Sequence, residues 1–257
     1  MGTIIHKMLR VIFAFSMLAA IPHAAGEPGS FEVENRGMRG YSVGKVAAAW
    51  PKIKRESGSS AVTVLLVGTN DMINSEYLTP FDQFRNEYDK LLGSLAQSST
   101  HLMVATLPPC VEEHLFRRHK RDLYGDASPN ERIQQANKII REIALQHGCK
   151  VVDLDLIFTE GTWEEGNPSG IMRTIASGGT PDGVHPNAAG AKRIGEAVAE
   201  AVKTIGLKEG KIICLGDSIT YGGGLQGEGT IEGETYPAVL SQLLNGSPSN
   251  PNPDKSQ

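Results

Sequence analysis

Short apolar runs alternate along the chain with segments whose apolar residues recur at helical spacing. Residues 62–67 and 102–106 are nearly continuous apolar runs. Residues 151–156 and 211–215 are similar, and 31–33 is a weaker one. Runs apolar on both sides suit parallel strands covered on both faces. After Thr79-Pro80, apolar residues fall at Phe81, Phe84, Tyr88, Leu91, Leu92 and Leu95, which predicts a helix. Ser128-Pro129-Asn130-Glu131 has the form of a capping box with proline at the first helical position. The helix it opens carries Ile133, Ile139, Ile140 and Ile143 and can end at Gly148. Asn187 can cap a helix through Ile194, Val198 and Val202, ended by Gly206. A last helix follows Thr235 with Val239, Leu240, Leu243 and Leu244. Strands alternating with helices predict an α/β fold with a parallel sheet.

Composition narrows this only a little. The 257 residues are 40% hydrophobic and 21% charged, enough for one large domain with a full core. The net charge is −4 and no long basic run dominates, so nucleic acid is not an expected partner. The N-terminus reads differently from the rest. Lys7 and Arg10 precede an apolar run at 11–21, followed by the small residues Ala24, Ala25 and Gly26. That is the pattern of a secretory signal peptide over residues 1–26. The run is shorter than the roughly 20 apolar residues of a spanning helix, so stable membrane insertion is not expected. Residues 27–246 then form one domain in a secreted or periplasmic protein. Residues 247–257, rich in Ser, Pro and Asn, are expected to be a disordered tail. Three cysteines exclude a complete disulfide framework. Cys214 reads as a small buried hydrophobe, and Cys110 and Cys149 fall at opposite sheet edges, a poor geometry for pairing.

Three motifs can carry chemistry. Gly216-Asp217-Ser218 directly follows the run at 211–215, where open α/β sheets bind ligands. It is not Gly-x-Ser-x-Gly, so the α/β-hydrolase elbow is not indicated. On its own it reads equally as a helix cap or turn. Gly68-Thr69-Asn70-Asp71 ends the run at 62–67, and an asparagine amide there can donate to developing negative charge. It too can be a simple turn. Asp182-Gly183-Val184-His185 precedes the helix capped by Asn187. An aspartate three residues before a histidine can accept its ring N–H and leave the other nitrogen free as a base. The alternative is a capping aspartate beside an ordinary surface histidine.

Together with Asn35-Arg36-Gly37-Met38-Arg39-Gly40, these motifs resemble blocks I, II, III and V of the SGNH (GDSL-like) hydrolases. The resemblance covers almost the whole chain after the leader. It implies a serine esterase with Ser218 as nucleophile, His185 as base and Asp182 orienting it. The backbone N–H groups of Ser218 and Gly40 and the Asn70 side chain would form the oxyanion hole. An acyl-enzyme is implied, with no metal and no cofactor. It also implies a three-layer α/β/α fold with a five-stranded parallel, flavodoxin-like sheet of order 2-1-3-4-5. The order of the blocks departs from the family. They run II, III, V, I here, which fits a circular permutation with its joint at residues 206–210. The competing reading is a truncated tandem in which Ser218 opens a second domain. Permutation predicts an interior serine strand flanked by the strands that lead to Gly40 and Asn70.

Other features bear on the substrate. The basic stretch at 114–121 reads as a solvated excursion, with a site for an anionic substrate as the alternative. Two long loops, at 221–234 and at 158–180 with Trp163, are expected to shape the substrate site. No His-Glu-x-x-His spacing supports zinc. Aromatic content is 6%, and neither loop has a long apolar stripe resembling a lipase lid, which favours a short acyl group. Acetyl on a carbohydrate is the leading substrate. Arylesterase, lysophospholipase and thioesterase activities are the alternatives within the class, and a non-catalytic carbohydrate-binding protein on the same scaffold is the rival class.

Overall fold

The computed structural model describes residues 30–160 and 170–246. The leader at 1–26, Trp163 and the tail at 247–257 lie outside the described residues. The elements run β1 (Ser30–Gly37), α1 (Val43–Ser57), β2 (Ser60–Leu66), α2 (Thr69–Ile73), α3 (Phe81–Leu95) and β3 (Ser99–Ala105). Then come α4 (Glu112–Leu115), α5 (Pro129–Gln146), β4 (Lys150–Val152), α6 (Leu154–Thr159) and α7 (Ile175–Gly178). The chain closes with α8 (Ala188–Thr204), β5 (Glu209–Gly216), α9 (Ser218–Tyr221) and α10 (Tyr236–Asn245).

The five strands form one sheet in the order β1-β5-β2-β3-β4, and every pair is parallel. Counted with the serine strand first, this is the order 2-1-3-4-5. Helices cover both faces: α1 packs on α3 and α3 on α5, while α8 and α10 pack together on the other side. Burial on both faces explains the unbroken apolar run of β2, where Val62, Val64, Leu65 and Leu66 have no exposure. The caps stand where the side chains dictate. Ser128 and Glu131 form both halves of a capping box at α5. Asn187 accepts the Gly190 N–H at α8, and Thr235 accepts the Ala238 N–H at α10.

Three expectations need correction. The run at 151–156 is not one strand. Strand β4 stops at Val152, and the Asp153 side chain then caps α6 by accepting the Leu156 N–H at 3.2 Å. A carboxylate that bonds its own neighbouring backbone competes with the ladder and wins at a sheet edge. Helix α1 is absent from the sequence reading, although Val43, Val46, Trp50 and Ile53 are buried at helical spacing. Pro51 inside it masks the pattern, because proline normally breaks a helix interior. Strand β1 is also longer than 31–33. Its polar second half is an edge, where Glu34 pairs with Lys211 at 2.9 Å and Arg36 at 2.8 Å. Among the described residues Cys110, Cys149 and Cys214 are free, and no helix is long and apolar enough to cross a membrane.

Candidate active site

The sheet register sets the site. Gly37 of β1 and Leu66 of β2 both stand level with Gly216 of β5. The three chains therefore leave the C-terminal edge of the sheet side by side. Ser218 follows the middle one by two residues, Gly40 follows Gly37 by three, and Asn70 follows Leu66 by four. Strand β5 is second from the edge and flanked by β1 and β2, as the resemblance requires. Gly216 is needed there, because a Cβ would stand 2.0 Å from the Leu66 carbonyl oxygen.

Helix α9 begins at Ser218, with the Asp217 side chain capping it through the Ile219 N–H at 2.9 Å. The first N–H groups of a helix have no partner inside it, and here the Asp217 side chain takes that of Ile219. His185 Nε2 lies 2.9 Å from Ser218 Oγ. Its Nδ1 lies 3.0 and 2.9 Å from the two Asp182 carboxylate oxygens. Asp182 also accepts the Val184 and His185 N–H groups at 2.9 and 3.0 Å. Burial alone raises an acid, but the His185 hydrogen bond and charge, with these backbone donors, hold Asp182 well below the usual carboxylate range. It is therefore an anion wherever the protein is folded near neutral pH.

Contacts from α2 and the loop after it hold the segment that carries Gly40. Asn70 Nδ2 donates to the Tyr41 carbonyl at 3.0 Å, which leaves the second hydrogen of that amide for another acceptor. The Tyr77 hydroxyl donates to the Gly40 carbonyl at 2.7 Å. Asp71 accepts the Val43 N–H at 3.0 Å and the Thr79 hydroxyl at 2.9 Å. Burial pushes Asp71 up to about 7, against those two hydrogen bonds. Burial likewise pushes Asp217 up to about 6, against the Ile219 N–H and the His185 charge. Tyr77 and the clasping role of Asp71 were not anticipated. Tyr77 has no local motif; Asp71 stands inside one, but its partners are distant in sequence.

The basic stretch at 114–121 is not simply a solvated excursion. His114 and Leu115 are buried, and Arg118 Nη2 donates to the Asp182 carbonyl at 2.8 Å. His114 and Leu115 close the short helix α4 and turn inward, while Arg117, Lys120 and Arg121 beyond it stay exposed. Of the two expected loops, residues 222, 223 and 225 border a cleft beside Ser218. The part of 158–180 that is described includes Ile171–Arg173, which packs against the His185 loop. Among the described residues no group of acidic, histidine or cysteine side chains is placed to hold a metal ion.

A serine, a histidine and an aspartate hydrogen-bonded in series at the C-terminal edge of a parallel sheet have the arrangement of a serine hydrolase. The chain belongs to the GDSL-like lipase/acylhydrolase family, whose model matches residues 16–193. It is a carboxylic ester hydrolase of that family. The matched span takes in Gly40, Asn70 and His185 and ends before Ser218. Similar solved structures include the acetyl xylan esterase AlAXEase, with 22% identity, a TM-score of 0.49, and 63% of this chain and 77% of that one covered. A lipase/acylhydrolase from Enterococcus faecalis has 18% identity and a TM-score of 0.49, covering 66% and 74%. The acetylxylan esterase Axe2 from Geobacillus stearothermophilus has 16% identity and a TM-score of 0.45, covering 65% and 69%. No curated protein matches the chain.

Proposed function

We propose that this protein is a secreted serine esterase that removes short acyl groups, acetyl foremost, through Ser218, His185 and Asp182. The observation that carries the reading is the unbroken series from the Asp182 carboxylate through both His185 nitrogens to Ser218 Oγ. His185 Nε2 takes the Ser218 proton as Oγ bonds to the ester carbonyl carbon. The oxygen gains charge facing the Ser218 and Gly40 N–H groups and Asn70 Nδ2. His185 returns the proton to the departing alcohol, and water then releases the acid from the acyl-enzyme. The N-terminal pattern at 1–26 supports export to the periplasm or medium.

The support for a short acyl group is the cleft beside Ser218. It is narrow and walled by Pro186, Ala191, Ile194, Ile219 and Leu225. A carbohydrate alcohol is supported by the wider hollow of about 410 Å³ next to the Gly40 loop, with Lys45, Tyr77, Gln83 and Glu87 on its walls. The test is a series of p-nitrophenyl esters. The value of kcat/KM should fall by about tenfold or more from acetyl to octanoyl, the scale of discrimination by a tight apolar wall. A rise through octanoyl would overturn the short-acyl reading. No hydrolysis of any ester, with no labelling by a fluorophosphonate, would overturn the esterase mechanism.

We also read the chain order as a circular permutation. Three features support it. Strand β5 comes last in sequence yet lies between β1 and β2. The family match stops before Ser218. Asn245 at the end of α10 exchanges two hydrogen bonds with Phe31, at 2.7 and 2.9 Å. A gene that opens at Lys208, ends at Leu207 and joins Asn245 to Ser30 by a short glycine-serine linker should give an active enzyme. A rejoined chain that cannot fold would sink the permutation.

A further inference from the structure

Arg173 is a half-buried cation that the mechanism above does not use. Its backbone is stitched to the base loop on both sides. Its N–H donates to the His185 carbonyl at 2.8 Å, and its carbonyl accepts the Gly183 N–H at 2.8 Å. Met172 pairs antiparallel with Pro186 beside it. The side chain then turns toward the nucleophile. Its Nη1 donates to the Gly223 carbonyl at 3.0 Å and stands 3.7 Å from Asp182 Oδ2. The Gly223 N–H in turn bonds to the Ser218 carbonyl at 3.0 Å. The guanidinium lies so close to Gly224 that a Cβ there would be 1.9 Å from Nη1. One residue thus reaches the acid and the turn after the nucleophile with its side chain, and the segment that carries the base with its backbone. Arg118 adds a second cation from another element, 3.5 Å from Asp182 Oδ1.

Resting on the esterase reading, we propose that Arg173, seconded by Arg118, is a positioning residue of the Asp182–His185–Ser218 series. It fixes the spacing between the acid loop and the nucleophile turn. It also shares the Asp182 carboxylate with His185, standing 3.7 Å from Oδ2. The charged and titratable groups that face this series are Arg118, Arg173 and Asp217, with His114 packed under Gly183. Asp217 and His114 are common to every variant below, so their influence cancels in the comparison.

The sign of the effect follows directly. His185 must be neutral to accept the Ser218 proton, so activity falls on the acid side as the ring is charged. A nearby cation disfavours the charged ring. Removing the cation therefore moves the acid limb to higher pH.

The experiment is the pH profile of kcat/KM with p-nitrophenyl acetate for the wild type, Arg173→Met, Arg173→Lys and Arg118→Gln. Active sites are counted by fluorophosphonate labelling. Arg173→Met should lose about tenfold to a hundredfold in kcat, the cost of a small misplacement of reacting groups. Its acid limb should rise by about half a pH unit or more. Arg173→Lys should keep the wild-type limb while recovering only part of the rate, because it restores the charge and not the reach. Arg118→Gln should raise the limb by less than Arg173→Met does. A merely structural role would lower the active-site count and leave every limb in place, which overturns the proposal. If Arg173→Met does not fold, an Arg118→Gln limb identical to wild type overturns it. Failure of the esterase reading is separate: the wild type itself would then neither hydrolyse the ester nor take the label.

Discussion

Ser218→Ala will fold like the wild type and hydrolyse p-nitrophenyl acetate about 10⁶-fold more slowly in kcat, the scale of losing a triad nucleophile. The size follows from what the hydroxyl does. In the proposed mechanism it is the atom that bonds to the acyl carbon, and His185 Nε2 lies 2.9 Å from it. Without it, neither the base nor its acid has a proton to move. The fold should survive because the local structure does not depend on Oγ. Helix α9 is capped by Asp217, which remains, and the backbone bond from Asp217 N–H to the Leu66 carbonyl at 3.2 Å remains. His185 is partly open to the cleft, so water can take the place of the lost hydroxyl. Steady-state kinetics with a melting curve decide the matter. A folded Ser218→Ala protein within tenfold of the wild-type rate would remove Ser218 from the chemistry.

Asn70→Ala should cost about 2–4 kcal/mol of transition-state stabilisation, a loss of roughly thirtyfold to a thousandfold in rate, the usual result of deleting one oxyanion donor. The loss should fall on kcat. The carbonyl oxygen carries its charge only in the transition state, so a donor aimed there improves turnover more than ground-state binding. Asn70 also holds the Tyr41 carbonyl, so part of the damage is to the loop that carries Gly40. That loop keeps two other ties, from Tyr77 and from Asp71, which argues against its collapse. A change confined to KM would assign Asn70 to substrate binding instead.

The residues of this site divide by how far their partners lie along the chain. Asp182 and His185 are three apart, and the pair is legible because one turn of backbone is enough to join them. Ser218, Gly40 and Asn70 are far apart, yet each closes a recognisable strand-end motif, and the parallel sheet brings such ends level. The five strands and the long helices α3, α5, α8 and α10 were legible for a related reason: local caps and periodicity specify them. Arg173, Arg118 and Tyr77 were not legible. Each acts on the site through contacts that no spacing announces, and Arg118 sits in a charge run of the kind that is usually solvated. Helix α1 was hidden by Pro51, and α6 by an apolar stretch that satisfies strand and helix alike until Asp153 is seen to cap it.

The seating of β5 between β1 and β2 also dictates an order of assembly. Strands β2, β3 and β4 can pair as soon as they are made, since each is bonded to its sequence neighbour. Strand β1 cannot. It is synthesised first, yet its one strand partner is β5, and its far clasp, Asn245, lies 214 positions away. Closing so long a loop delays the pairing without greatly weakening it. A nascent chain therefore carries an unpaired edge on β2 and an orphan strand in β1 until β5 emerges, a state exposed to aggregation. The nucleophile arrives in that same last segment. On the proposed mechanism, a chain that has not yet made β5 lacks its nucleophile, because the strand that finishes the sheet is the one that delivers the serine.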